Sequence, residues 1–145
     1  MNNGLKVIAV DLSSEMVKKC REKSIEAYEL DYYNLSSLNK KFDCIYAINT
    51  LLHVPKNDLL HVLNEINSVL DENGLFYMGV YGGEDTENEF VNIEISDAPR
   101  FFTFYSEKFL KIVLASVFDI ISFESLDPHT GTEGDIFHSI ILRKR

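Results

Sequence analysis

Two carboxylates stand where ligand chemistry is expected. Asp11 closes the run Lys6-Val7-Ile8-Ala9-Val10, and Asp31 closes Ile25-Glu26-Ala27-Tyr28-Glu29-Leu30. The first run is apolar and β-branched, as a buried parallel strand requires. The second alternates apolar and polar residues, which predicts a strand at a sheet edge. A carboxylate at the C-terminal tip of a parallel strand lies where open α/β sheets bind their ligands. From there it can accept hydrogen bonds from both hydroxyls of a ribose. The competing reading of Asp11 is a residue that caps a helix or tethers a loop.

Other chemistries find little support. Cys20 and Cys44 are isolated, and His53, His61, His129 and His138 show no ligand spacing with Cys or carboxylates. The two cysteines are therefore expected as small core residues of a reduced, cytoplasmic protein. With 23 acidic against 14 basic residues the net charge is −9. That field repels a phosphate backbone, so nucleic acid is not the expected partner. No apolar run is long enough to cross a bilayer, and Met1-Asn2-Asn3-Gly4 is not a signal peptide.

The elements that must position these groups follow in order. Ser13 or Ser14 caps a helix carrying Glu15 in its first turn, with Met16, Val17 and Cys20 on its apolar face to about Lys23. Leu35 and Leu38 suggest one short helical turn. Phe42–Asn49 is a strand that leads into Asn49-Thr50-Leu51-Leu52-His53-Val54-Pro55. A cap at Asn57 or Asp58 then opens the clearest helix, with Leu59, Leu60, Val62, Leu63, Ile66, Val69 and Leu70 at helical spacing. Asn73-Gly74 is expected to stop that helix in the left-handed conformation. Leu75–Tyr81 is a buried strand ending at Gly82-Gly83. The acidic stretch Glu84–Asn92 is expected as a mobile lid or a solvated loop. Arg100–Tyr105 is aromatic and extended, and Ser106 caps a helix that turns Phe109, Leu110, Val113 and Leu114 inward. Asp119–Leu126 and Ile136–Arg143 form an antiparallel pair. No repeat, linker or low-complexity stretch divides residues 1–145, so one domain is expected.

Taken together, these landmarks resemble a class I AdoMet-dependent methyltransferase of the type that modifies small molecules. Val7–Met16 is similar to the family's second strand, Asp31-Tyr32 to its third strand tip, and Phe42–Pro55 to its fourth strand and the loop under the cofactor. Leu70–Phe76 resembles the approach to the fifth strand, and Arg100–Tyr105 and Ile140–Arg143 the late elements. The resemblance implies a Rossmann-like α/β sheet, parallel strands first and an antiparallel hairpin last. It implies S-adenosyl-L-methionine as cofactor and a small molecule as acceptor. Asp11 would hold the ribose, with Leu12 beside it; Asp31 and Tyr32 would meet the adenine, where Tyr32 is equally readable as an ordinary tyrosine. Met16 packs near the ribose or fills core, the latter being preferred. Asn49 and Thr50 would meet the cofactor through backbone groups. His53 faces the acceptor as a base or fixes the loop before Pro55, and the structural role is preferred. Tyr81, Arg100, His129 and His138 are acceptor-side candidates.

One departure matters. No Gly-x-Gly follows any strand, so the family's first strand and its glycine-rich loop have no counterpart. The expected domain is thus a methyltransferase fold without its first βα unit. Val7–Val10 and Cys44–Ile48 would then each keep an open ladder edge. Direct pairing of these two strands is the expected remedy, with a homodimer as the alternative. Two other functions stay open: a non-enzymatic remnant or interaction module with impaired cofactor binding, and a dinucleotide-binding fragment, since Rossmann domains also end their second strand in an acid.

Overall fold

A computed structural model describes residues 4–92, 96–127 and 136–145. The chain opens with strand β1 (Ile8–Asp11), helix α1 (Ser14–Glu22) and strand β2 (Glu26–Glu29). β1 and β2 run parallel, in register from Ile8↔Glu26 to Asp11↔Glu29. α1 starts where the sequence places it: Ser13 Oγ accepts the Met16 N–H at 3.3 Å. A 3-10 turn at Leu35–Leu38 leads to β3 (Phe42–Ile48), and a second at Leu51–His53 leads to α2 (Lys56–Val69). β4 (Leu70–Gly82), β5 (Thr86–Asn92) and β6 (Ser96–Phe104) follow, then α3 (Glu107–Val117), β7 (Phe118–Leu126) and β8 (Ile136–Lys144).

β3, β4, β8 and β7 form one mixed sheet in that order, with β3 parallel to β4 and the last two antiparallel. One face of it holds Phe76, Met78, Val80, Ile140 and Leu142, all fully buried. The apolar stripe of α2 (Leu59, Val62, Leu63, Ile66) and that of α3 (Leu110, Leu114) join them in one core. The opposite face holds Tyr46, Ile48, Leu75 and Ile141, which remain 67, 42, 39 and 38% exposed. Among the described residues this mixed sheet buries a single face.

Several expectations are corrected. β1 and β3 do not pair: they belong to separate sheets, each with one partner among the described residues. β1 is accordingly not buried, and Val7 and Val10 are 54 and 39% exposed. Neither cysteine is a core residue, because Cys44 lies on the bare face and is exposed while Cys20 is half-buried. α2 starts earlier, at Lys56 behind Pro55, whose fixed φ suits a helix entrance. Its N-cap residue Pro55 offers no side-chain acceptor; instead the Lys56 N–H donates to Glu87 Oε1 at 2.7 Å. It also ends earlier, at Leu70, where the chain becomes extended. Asn73 takes the left-handed conformation (φ 61°) inside β4, and Gly74 does not.

The acidic segment is not a loop. β5 and β6 form an antiparallel hairpin, in register from Thr86↔Phe104 to Phe90↔Arg100. Its polar residues concealed a strand whose partner is the aromatic run Arg100–Phe104. Cross-strand pairing there supplies what β5 lacks in apolar content.

Candidate cofactor site

Parallel pairing carries Asp11 and Asp31 to one end of the β1–β2 pair. The Leu30 N–H, next to Asp31, donates to the Asp11 carbonyl at 3.1 Å. Asp11 Oδ1 accepts the Ser13 N–H at 2.8 Å, a short Asx turn that starts α1. Asp31 Oδ1 accepts the Tyr33 N–H at 2.9 Å and the Asn34 side chain at 2.8 Å. Each carboxylate thus spends one oxygen on its own turn. The other oxygen of each has no hydrogen-bond partner among the described residues. The helix-capping and ligand-binding readings of Asp11 are therefore compatible.

Around these tips the chain presents mixed surfaces. Leu12 is 64% and Met16 48% exposed, so Met16 is not the core residue preferred from sequence. Tyr32 packs against the core, its ring centroid 5.2 Å from that of Tyr33. Burial raises the Tyr32 phenol above its ordinary value, and the neighbouring Asp31 charge adds to the effect. Tyr33, which sequence reading passed over, donates to Asp58 Oδ2 at 3.2 Å and accepts from His61 through its carbonyl. Desolvation and the Asp58 charge push its phenol up to about 12.

Asn49 and Thr50 follow the C-terminal end of β3. Asn49 adopts φ 52°, and its N–H still donates to Gly79 of β4 at 2.8 Å. Thr50 Oγ1 donates back to the Ile48 carbonyl. The loop beyond them is clamped from β6. Thr103 Oγ1 donates to the Val54 carbonyl at 2.8 Å, and the buried Tyr105 hydroxyl contacts the carbonyls of both Leu51 and Val54. His53 Nδ1 lies 2.7 Å from the Phe101 carbonyl, and its ring meets Phe102 edge-on. A carbonyl can only accept, so Nδ1 carries the proton and Nε2 is the basic nitrogen of the neutral ring. These clamps are long-range contacts, and no local spacing signals them.

The other candidates scatter. Tyr81 sits at the end of β4 against Phe137, and Arg100 is exposed on the hairpin. His129 lies outside the described residues. His138 is no acceptor-side residue: it is 2% exposed, with Nδ1 3.0 Å from Ser125 Oγ and Nε2 3.2 Å from the Tyr105 carbonyl. β8 is an interior strand, and its alternation turns His138 into the core.

Against known families, the profile described as "Methyltransferase domain" matches residues 1–74, half of the chain. The chain belongs to this methyltransferase family. Comparison with curated proteins finds no match. Among solved structures, the methyltransferase chain is similar to a SAM-dependent methyltransferase from Methanosarcina mazei: 18% identity, TM-score 0.79, covering 95% of this chain and 81% of that one. It is also similar to the Burkholderia thailandensis 1,6-didemethyltoxoflavin-N1-methyltransferase, solved with that compound and S-adenosylhomocysteine, at 20% identity and TM-score 0.73, covering 99% and 63%. The glycopeptide N-methyltransferase MtfA, complexed with S-adenosylhomocysteine, matches at 13% identity and TM-score 0.71, covering 98% and 75%. The fold is thus the Rossmann-like α/β fold of methyltransferases. No described helix is long and apolar enough to cross a membrane.

Proposed function

We propose that this chain binds S-adenosyl-L-methionine through the β1–β2 tips and serves methyl transfer to a small-molecule acceptor. One observation carries the reading: Asp11 ends β1 and Asp31 stands just beyond the end of its parallel neighbour β2 in a methyltransferase fold, each with an oxygen to spare. The residues present fit the nucleotide half of the cofactor. Asp11 accepts from the ribose hydroxyls, Asp31 accepts from the adenine amine, and the half-buried Tyr32 ring offers a stacking face. Leu12 and Met16 provide apolar contact, and Asn49 and Thr50 provide backbone groups. When bound, the cofactor supplies a methyl group already activated on a sulfonium sulfur.

The remaining work is placement and exclusion of water. The Asn49–Pro55 loop, pinned by Thr103 and Tyr105, gives a rigid floor. The β5–β6 hairpin follows directly from the β4 tip and walls the acceptor side, where His53, Tyr81 and Arg100 remain candidates together with His129. The hydrogen bond from His53 to Phe101 supports a positioning role for that ring. The acceptor class rests on the net charge of −9, which disfavours nucleic acid, and on the small compound named with the Burkholderia relative. The MtfA relative keeps a glycopeptide acceptor as the second candidate.

The test is a nuclear magnetic resonance titration of the chain with S-adenosyl-L-methionine up to millimolar concentration. Amide shifts should concentrate at Asp11–Ser13, Asp31–Tyr33 and Asn49–Thr50. Asp11→Ala should weaken the fitted affinity about tenfold, the loss of about 1.4 kcal/mol expected for a charge-assisted hydrogen bond. Shifts confined to other residues, or an unaltered affinity in Asp11→Ala, would sink the assignment. A second reading, the fold kept without catalysis, is favoured by the lack of any Gly-x-Gly after a strand. Low-micromolar binding with methyl transfer would exclude it.

A further inference from the structure

Helix α2 is tied to both parts of the candidate site. Its first turn continues directly from the Asn49–Pro55 loop, and Asp58 lies in that turn, where the helix dipole favours a carboxylate. Asp58, His61 and Glu65 stand at i, i+3 and i+7, so they form one polar stripe beside the apolar stripe of the helix. All three reach the segment that follows Asp31. Asp58 Oδ2 accepts the Tyr33 hydroxyl at 3.2 Å, His61 Nε2 donates to the Tyr33 carbonyl at 3.2 Å, and Glu65 Oε2 accepts the Ser36 N–H at 2.8 Å. The His61 ring also stacks on that of Tyr33, 24° from parallel with centroids 6.0 Å apart. Tyr33 thus commits all three of its polar groups: its N–H to Asp31 Oδ1 at 2.9 Å, its hydroxyl and carbonyl to α2. With its phenol pushed up to about 12, it remains a donor at neutral pH.

We infer that Tyr33 is a positioning residue: anchored to Asp58 and His61, it fixes the Asp31 carboxylate so that the free oxygen reads the adenine amine, and thereby sets a preference for an amino-purine. The two donors on Asp31 Oδ1 are the Tyr33 N–H and the Asn34 side chain, and they turn the second oxygen outward. Those donors are only as fixed as the backbone that carries them. Asp31–Asn34 lies between β2 and the 3-10 turn, and its own closing bond, from the Asn34 N–H to the Asp31 carbonyl, is long at 3.4 Å. Rigidity must therefore come from outside the turn, and α2 supplies it through Tyr33. A hydrogen bond discriminates between ligands when its geometry is set before binding, because a mobile acceptor adapts or turns away. Asp11 needs no such strut, since it ends β1 and its other oxygen holds the entry to α1. Loosening Tyr33 should thus weaken recognition of the amine and spare recognition of the ribose. This role rests on the cofactor reading above and adds to it a residue that contacts no ligand itself.

The test compares adenosine with purine riboside, the same nucleoside without its amino group, each titrated into the chain and followed by amide shifts. Adenosine should bind about tenfold tighter, the value of one hydrogen bond to a charged acceptor. In Tyr33→Phe and in Asp58→Ala that ratio should fall to about twofold or less, while the affinity for purine riboside stays within about twofold of the unmodified chain's. The double variant should fall no further, because both changes cut one strut. Asp58→Asn keeps an acceptor for the hydroxyl and should keep most of the ratio. Unchanged amide protection in α2 shows that the variants keep their fold. A ratio that stays near tenfold in Tyr33→Phe would overturn the role, and so would equal weakening of both nucleosides, the mark of a merely structural residue. Equal affinities in the unmodified chain, with shifts at Asp11–Ser13, would overturn it too and leave ribose binding standing. No shift at Asp11–Ser13 with either nucleoside would sink the cofactor reading itself, and the role of Tyr33 with it.

Discussion

His138 shows how one side chain couples three elements. It lies on β8, meets Ser125 of β7, and reaches the Tyr105 carbonyl just beyond β6. Burial lowers its pKa below the ordinary histidine value, more than the Tyr105 carbonyl and the Glu107 charge raise it. The unfolded chain therefore takes up the proton first as pH falls. Stability from this site is fully present above the unfolded value of about 6.5, and is lost as pH drops through that value toward the lower folded one. Denaturant midpoints measured from pH 8 to pH 5 should fall, and His138→Gln should flatten that slope. The same ring constrains Gly82, since a Cβ there would lie 2.2 Å from His138 Nε2. Gly82→Ala should cost about 1–3 kcal/mol in urea unfolding, by forcing the ring off its two partners.

At the scale of elements, α3 depends on a corner built from two segments. Ser106 Oγ accepts the Phe109 N–H at 3.1 Å, the usual first-turn cap. Asp85, held at φ 61° beyond the β4 tip, in turn accepts from both the Ser106 N–H and Oγ at 2.8 Å. Burial raises the Asp85 carboxyl, but these hydrogen bonds and Lys56 outweigh it, so its pKa ends below the ordinary value. Ser106→Ala should destabilise by about 1 kcal/mol through the lost cap, and Asp85→Ala by a similar amount. A double mutant should fall short of the sum, because both changes break one network. Thermal unfolding of the four proteins of that cycle checks this.

For the whole molecule, the separation of the β1–β2 pair from the mixed sheet predicts uneven stability. The β1–α1–β2 unit buries only Val17 and Ala27 as core residues, whereas the mixed sheet with α2 and α3 holds nearly all of the fully buried side chains. Few buried apolar contacts mean a low local opening free energy. Native-state hydrogen exchange should find the β1–β2 amides, Ala9 among them, opening at lower denaturant than those of α2, β4 and β8. Uniform protection across the β1–β2 pair and the mixed sheet would contradict this.

Much of the architecture was legible in local sequence, because short-range chemistry decides it. Ser13 and Ser106 mark helix starts through their own hydroxyls, Asp11 and Asp31 close strands that alternation and β-branching define, and the α2 stripe follows from helical spacing alone. The family resemblance could be drawn from the same local motifs. What stayed hidden depends on groups far apart in the chain. Glu84–Asn92 looks like a loop until the aromatic strand lies beside it; pairing with Arg100–Phe104 is what makes Thr86–Asn92 the strand β5. His138 reads as an acceptor-side candidate until two neighbouring elements enclose it. Whether Val7–Val10 is buried depends on which strand lies next to it, and composition alone cannot say. Local sequence determines what each segment is able to become. Only the tertiary structure decides which backbone rows and apolar faces find a partner, because burial belongs to pairs of elements and not to a residue or its nearest neighbours.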